Sequence, residues 1–181
     1  MRSRLDAISE SEALAAGEGA IARLADWSGW QSASTIAVFA TMPGEIDTEP
    51  VIERARDEGR RIVFPRMIAG STLEFVPVDR PEQLGASRHA VKEPDVRIPA
   101  RPLPVDAIVL VPGLAFDREG GRLGRGAGYY DRALADYAAA RARPTFIGLA
   151  FAVQIVDVVP RGSLDVTMDG VVTEAEFTAR T

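Results

Sequence analysis

Residues 111–132 read VPGLAFDREGGRLGRGAGYYDR. The stretch is entered through Ala107-Ile108-Val109-Leu110, a continuous apolar run of strand length, as expected of a strand buried on both faces. Five glycines then fall within nine residues, at Gly120, Gly121, Gly124, Gly126 and Gly128. Tyr129-Tyr130-Asp131-Arg132 follows and opens a helical pattern that runs to Ala142. A strand, a glycine-rich turn and a helix N-terminus form an anion site: glycine lets the backbone approach, and first-turn N–H groups point at the anion. Arg122, Arg125 and Arg132 add forked cations suited to phosphate or carboxylate oxygens. An ordinary strand-to-helix turn would need neither this glycine density nor three arginines. The segment lacks the Gly-Lys-Ser/Thr of a Walker loop, and Tyr129 and Tyr130 stand where a dinucleotide fingerprint needs its late third glycine.

The flanking sequence alternates helices with apolar strands. Leu5 to Leu24 reads as helix; Ser9-x-x-Glu12 resembles a capping box, which would end a first short turn near Ile8 and begin the main helix at Ser9, with Gly17 and Gly19 weakening its middle. Trp27 and Trp30 are expected to pack at its end. Strands are expected at residues 35–40, 61–65, 73–78, 107–116, 145–151 and 171–173. A helix follows Thr48, a candidate N-cap with Pro50 in the first turn, and stops at Gly59. Residues 81–101, rich in proline and charge, read as a surface loop, and the tail after Glu174 as poorly ordered. The expected fold is α/β: a single-domain, three-layer sandwich with a mainly parallel sheet covered by helices on both faces, spanning residues 1–181.

Composition narrows the function classes. The net charge of −5 argues against a nucleic-acid partner, whose phosphates select basic surfaces. No cysteine is present, so disulfides, thiolate nucleophiles and cysteine metal sites are excluded. The first dozen residues are polar and acidic, unlike a secretory signal, and no apolar run reaches membrane-spanning length. The lone histidine, His89, sits in the charged loop and is assigned no catalysis. Triads and zinc sites fall away, leaving positioning and electrostatics, the main resources of phosphoryl transfer.

Ligands of parallel sheets bind beyond the carboxyl ends of the strands. Three segments sit there: residues 42–45, 65–67 and 113–130. They bring Glu45, Arg66, Arg122 and Arg125 together with the glycine-rich turn. Asp131, Asp165 and Asp169 are candidates for magnesium, which takes one or two carboxylates beside phosphate and water; spacing alone does not choose among them. Asp131, at a helix start, is expected to be removable at little cost in stability.

RLGRGAGYYDR after VPGLAFD resembles the signature of the 5-formyltetrahydrofolate cyclo-ligase (5,10-methenyltetrahydrofolate synthetase) family. IAVFATMPGEIDT at residues 36–48, Phe64-Pro65-Arg66, Glu93-Pro94, Gln154 after Leu149-Ala150-Phe151, Leu164-Asp165-Val166 and Val171-Val172-Thr173 follow in family order. The resemblance covers roughly residues 5–173. It implies a cytoplasmic ligase of one-carbon metabolism, monomeric or at most weakly dimeric. Such an enzyme spends ATP, with Mg²⁺, to convert 5-formyltetrahydrofolate to 5,10-methenyltetrahydrofolate. It further implies Arg125 and Tyr129 as catalytic residues. The nucleotide falls to Arg122, Leu123, Gly124, Arg125, Gly126, Ala127, Gly128, Tyr129 and Tyr130. The folate falls to Glu45, Arg125, Gly126, Ala127, Gly128 and Tyr129. It selects Asp131 and Asp165 as the metal ligands.

The sequence departs from the family in places. Members carry a lysine and an arginine in an N-terminal helix that contact ATP, whereas only Arg2 and Arg4 precede Leu5-Asp6-Ala7-Ile8-Ser9, and the sole lysine is Lys92. Leu164 replaces a frequent histidine, Ala127 a frequent glycine or lysine, and no methionine stands near Leu73. Either Arg2 or Arg4 takes over that contact, or the natural start lies upstream, or the alternative holds: a folate-binding homologue with weakened or lost ATP use.

Overall fold

The computed structural model describes residues 1–86 and 91–180, so His89 lies outside the described residues. In chain order the elements are α1 (Arg2–Leu5), α2 (Glu10–Ala25), α3 (Ser28–Ser32), β1 (Thr35–Ala37), α4 (Glu49–Asp57), β2 (Arg61–Ile68) and β3 (Thr72–Pro77). The short strands β4 (Leu84–Ala86) and β5 (Lys92–Pro94) precede β6 (Ile108–Val111), β7 (Ala115–Phe116) and β8 (Arg122–Leu123). Then come α5 (Tyr129–Ala139), β9 (Thr145–Leu149), β10 (Gly170–Val172) and β11 (Phe177–Ala179).

Seven strands form the central sheet in the order β11-β10-β9-β6-β1-β2-β3. Its inner pairs are parallel, and the outermost pair at each edge is antiparallel. β6 is the middle strand. All four of its residues are buried, because it bonds to a strand on each side and carries helices over each face. One apolar layer packs Leu24 of α2 and Val51, Ile52 and Ala55 of α4 against Ile36, Ile108 and Ile147. The opposite layer packs Leu134 of α5 against Val109, Val111, Phe116 and Phe146. These are the three layers expected from the alternating pattern.

The Ser9–Glu12 capping box is present in both directions and begins α2. Gly17 proves to be a contact point, not a weak spot. A Cβ there would stand 2.3 Å from the Asp47 carbonyl oxygen, so only glycine lets α2 press against the entry to α4. Trp30 is buried, and Trp27 meets Phe177 edge-on at 5.4 Å.

Four sequence expectations need correction. Residues 107–116 are two strands, because Pro112-Gly113 turns the chain out of the sheet so that β7 pairs with β8. Within residues 81–101, β4 and β5 pair antiparallel, so the segment is not wholly irregular. The tail is tied down as β11, antiparallel to β10. Thr48 occupies the N-cap position but does not cap. Its hydroxyl donates to the Phe39 carbonyl at 3.0 Å, closing the loop that carries Glu45.

Candidate functional site

A cavity of about 390 Å³ opens beyond the carboxyl ends of the parallel strands. Its size suits a small-molecule ligand. All three strand-end segments reach it: Met42 and Glu45 after β1, Pro65 and Met67 on β2, and Pro112, Gly113 and residues 122–131 after β6. Phe39 and Leu73 extend the apolar wall. Lys92, Glu93 and Asp165 add polar lining.

The glycine-rich segment is held from behind. Asp117, at the end of β7, is buried and accepts N–H bonds from Gly121 at 2.7 Å, Glu119 at 3.0 Å and Val159 at 2.8 Å. Arg161 adds an ion pair at 3.0 Å. Burial alone would raise this carboxyl; the Val159 and Gly121 N–H groups and the Arg161 guanidinium outweigh it and hold the acid below its ordinary range. Gly120 sits at φ +78°, where a Cβ would stand 2.1 Å from the Met168 carbonyl oxygen. Its own carbonyl accepts the Met168 N–H at 2.9 Å. The hairpin therefore cannot shift without breaking contacts to residues 159–168. Gln154 steadies the preceding turn by donating to the Gly113 carbonyl at 2.7 Å. Asp117 escaped the sequence reading. The signal was an acid three residues ahead of a glycine pair, the spacing of a side chain that closes a turn on its own backbone.

Beyond the hairpin, Leu123, Gly124, Arg125, Gly126, Ala127 and Gly128 form one wall of the cavity. No side chain caps the N-terminus of α5, which begins at Tyr129. Its first-turn N–H groups remain available to an anion. Tyr129 and Tyr130 are half-buried at the same wall. Burial, and then the nearby Glu45 carboxylate, push the Tyr130 phenol far above its ordinary value.

Glu45 is buried with its Oε2 accepting the Met42 N–H at 3.1 Å and its Oε1 accepting Arg125 Nη2 at 3.0 Å. Burial raises its carboxyl above the ordinary value, and the Arg125 charge only partly reverses this. It is not the solvated loop acid that its sequence position alone would suggest. Arg125 is exposed over 46% of its side chain.

Arg122 and Asp131 are already bound to each other. Arg122 Nη2 donates to both Asp131 oxygens at 2.7 Å, and Asp131 also accepts the Val166 N–H at 3.2 Å. The Arg122 side chain is only 6% exposed, and its buried Nε has no partner. Asp131 is therefore the counterion of a buried arginine, and the expectation that it is cheap to remove must be reversed. Asp165 is exposed and closes a turn by accepting the Gly162 N–H at 2.6 Å. Both aspartates line the cavity. Among the described residues no group of three or more metal-binding side chains occurs. Two carboxylates are nonetheless the donor set that Mg²⁺ takes beside phosphate.

Three sequence candidates lie elsewhere. Asp169 pairs with Arg143 at 2.6 Å and accepts the Phe146 N–H, placing it at the amino ends of the strands, away from the cavity. Arg66 pairs with Glu74 at 2.6 Å and donates to the Ile98 carbonyl. Strand alternation explains the miss: Pro65 and Met67 line the cavity, and Arg66 between them does not. Arg132 donates to the Ser71 carbonyl at the tip between β2 and β3. Conversely, Lys92 reaches the cavity wall, which its position in a charged loop did not reveal.

Comparison with known proteins gives a consistent result. Residues 1–174 match the model of the 5-formyltetrahydrofolate cyclo-ligase family. The 5-formyltetrahydrofolate cyclo-ligase of Escherichia coli K12 is 31% identical over 180 residues, covering 97% of each chain. The mouse 5-formyltetrahydrofolate cyclo-ligase is 29% identical over 182 residues, covering 96% of this chain and 90% of its own. The solved structure of 5,10-methenyltetrahydrofolate synthetase from Aquifex aeolicus superposes with a TM-score of 0.80 at 29% identity, over 98% of this chain and 87% of the other. With a family match across nearly the whole chain, a relative above 30% identity and the same sheet in a solved relative, the chain belongs to the 5-formyltetrahydrofolate cyclo-ligase family.

Proposed function

We propose that the chain converts 5-formyltetrahydrofolate to 5,10-methenyltetrahydrofolate with ATP going to ADP and phosphate. The observation that carries this reading is the meeting, in one cavity, of Glu45, the glycine-rich wall from Arg122 to Tyr130, and two aspartates. The γ-phosphoryl group passes to the formyl oxygen. The neighbouring folate nitrogen then attacks the activated carbon, and phosphate leaves as the ring closes.

Each residue has a part that its surroundings support. Phe39, Pro65, Met67 and Leu73 offer apolar surface to the pterin. Glu45 accepts its amino and imino hydrogens, and a buried carboxylate does so with little competition from water. The glycine wall and the uncapped start of α5 hold phosphates. Arg125 and the Tyr129 phenol donate to charge that develops on the transferring group. Asp131 and Asp165 would hold Mg²⁺, which would offset phosphate charge there. No helix of the described residues is long and apolar enough to cross a membrane. A one-domain cytoplasmic protein, monomeric or at most weakly dimeric, belongs to the same reading; light scattering on a sizing column checks the oligomeric state.

Absorbance of the methenyl product, in a mixture of folded protein, ATP, Mg²⁺ and 5-formyltetrahydrofolate, tests the reaction. No turnover would remove the proposal. The second reading, a folate binder with weakened or lost ATP use, is favoured by Arg122 being committed to Asp131. It requires calorimetric binding of folate with none of ATP.

A further inference from the structure

Glu45 and Arg125 are 80 residues apart in sequence and meet across the cavity at 3.0 Å. The carboxylate lies deep, with 7% of its side chain exposed, while 46% of the Arg125 side chain is exposed. Each is the group that the proposed function gives to a different substrate. Of the two Glu45 oxygens, Oε2 is held by the Met42 N–H and Oε1 by Arg125. A folate ring that donates to Glu45 Oε1 shares that oxygen with Arg125 and weakens its hold on the cation. A phosphate that draws on Arg125 competes with Glu45 for the same positive charge. Arg122 offers no substitute cation, since its Nη2 is bound to both oxygens of Asp131.

We infer, resting on that function, that the Glu45–Arg125 pair is a two-state latch that makes folate and ATP bind cooperatively. Whichever ligand arrives first parts the pair and presents the other group to the second. The first binding event bears the cost of opening, and the second does not. By linkage the gain is the same in either order. Closed, the latch also neutralises a carboxylate that would otherwise stand buried without a counterion.

Calorimetric titration of the wild-type chain with a non-hydrolysable ATP analogue and Mg²⁺, with and without saturating 5-formyltetrahydrofolate, tests this. The dissociation constant of the analogue is expected to fall about fivefold or more when folate is present. Glu45→Gln removes the negative charge that holds Arg125, so this variant alone should bind the analogue tighter than wild type does. That gain is one a merely structural glutamate would not produce. Equal analogue affinity with and without folate overturns the inference and leaves the function standing, as does unchanged or weaker analogue binding by Glu45→Gln. Failure of the folded wild-type chain to bind either ligand overturns both.

Discussion

Replacing Asp131 by alanine should unfold this protein more readily, quite apart from any effect on magnesium. The substitution removes both acceptors of Arg122 Nη2 and the acceptor of the Val166 N–H. It leaves a guanidinium that is 6% exposed facing a void where its counterion was 18% exposed. Breaking a buried pair from one side costs about 3–5 kcal/mol. Residual solvent access to Asp131 places the expected loss near the lower bound, about 3 kcal/mol. At about 2–4 °C per kcal/mol for a chain of this length, the melting temperature should drop by roughly 6–12 °C. Urea denaturation of Asp131→Ala, Arg122→Met and the double variant gives the coupling directly. The double variant should recover most of the loss, because a buried pair replaced by apolar groups is near neutral. A loss below about 1 kcal/mol for Asp131→Ala, or a double variant no better than the single, would refute the claim that Asp131 neutralises a buried arginine.

Asp165→Asn is the cleaner probe of the metal: this exposed side chain should lose magnesium-dependent turnover with the melting temperature nearly unchanged, and full activity at low magnesium would remove Asp165 from the metal site. Arg125→Lys and Arg125→Ala should each lower the catalytic rate by about a hundredfold or more, since lysine lacks the planar fork, and Arg125→Ala should also lower stability at pH 7, because it leaves the buried Glu45 carboxylate without its counterion; effects confined to apparent ATP affinity would make Arg125 a ground-state contact. Glu45→Gln should raise stability at pH 7. The folded-state value of this carboxyl lies above its ordinary 4.5, so its contribution favours folding below 4.5 and is lost as pH rises through the folded value. Urea midpoints at pH 4 and pH 7 should therefore differ less for the variant, and a variant less stable than wild type at pH 7 would contradict the dominance of burial over the Arg125 pair.

The sequence carried the frame wherever a local pattern had one physical cause. An unbroken run such as Ile108-Val109-Leu110-Val111 is affordable only in the middle of a sheet covered on both faces, and β6 is that strand. Strand ends followed by Met42-Pro43-Gly44-Glu45 and by Gly113 converge because parallel strands share one carboxyl end. What stayed hidden were pairings made by the fold across long separations or irregular turns. Arg122 and Asp131 are nine residues apart with a glycine loop between, a spacing with no regular geometry to declare them neighbours. Glu45 and Arg125 are further apart still, and neither residue type names its partner. β11 is three residues long, too short for a period to register, and is defined only by its register on β10. Lys92 likewise comes to the cavity through the pairing of β4 with β5 and the packing of β5 beside β2.

The anchoring of the glycine hairpin also bears on when the chain becomes competent during synthesis. The hairpin at residues 117–123 is fixed by Val159, Arg161 and Met168, and Asp165 arrives with the same segment. A nascent chain that has emerged only as far as α5 carries the whole signature sequence, yet Asp117 still lacks the Val159 N–H and the Arg161 cation. Competence is therefore a late event, arriving with the last fifth of the polypeptide and not with the motif itself. Until then the growing sheet has an open strand edge, first on β6 and then on β9, and the chain is at its most vulnerable to mispairing and to proteolysis.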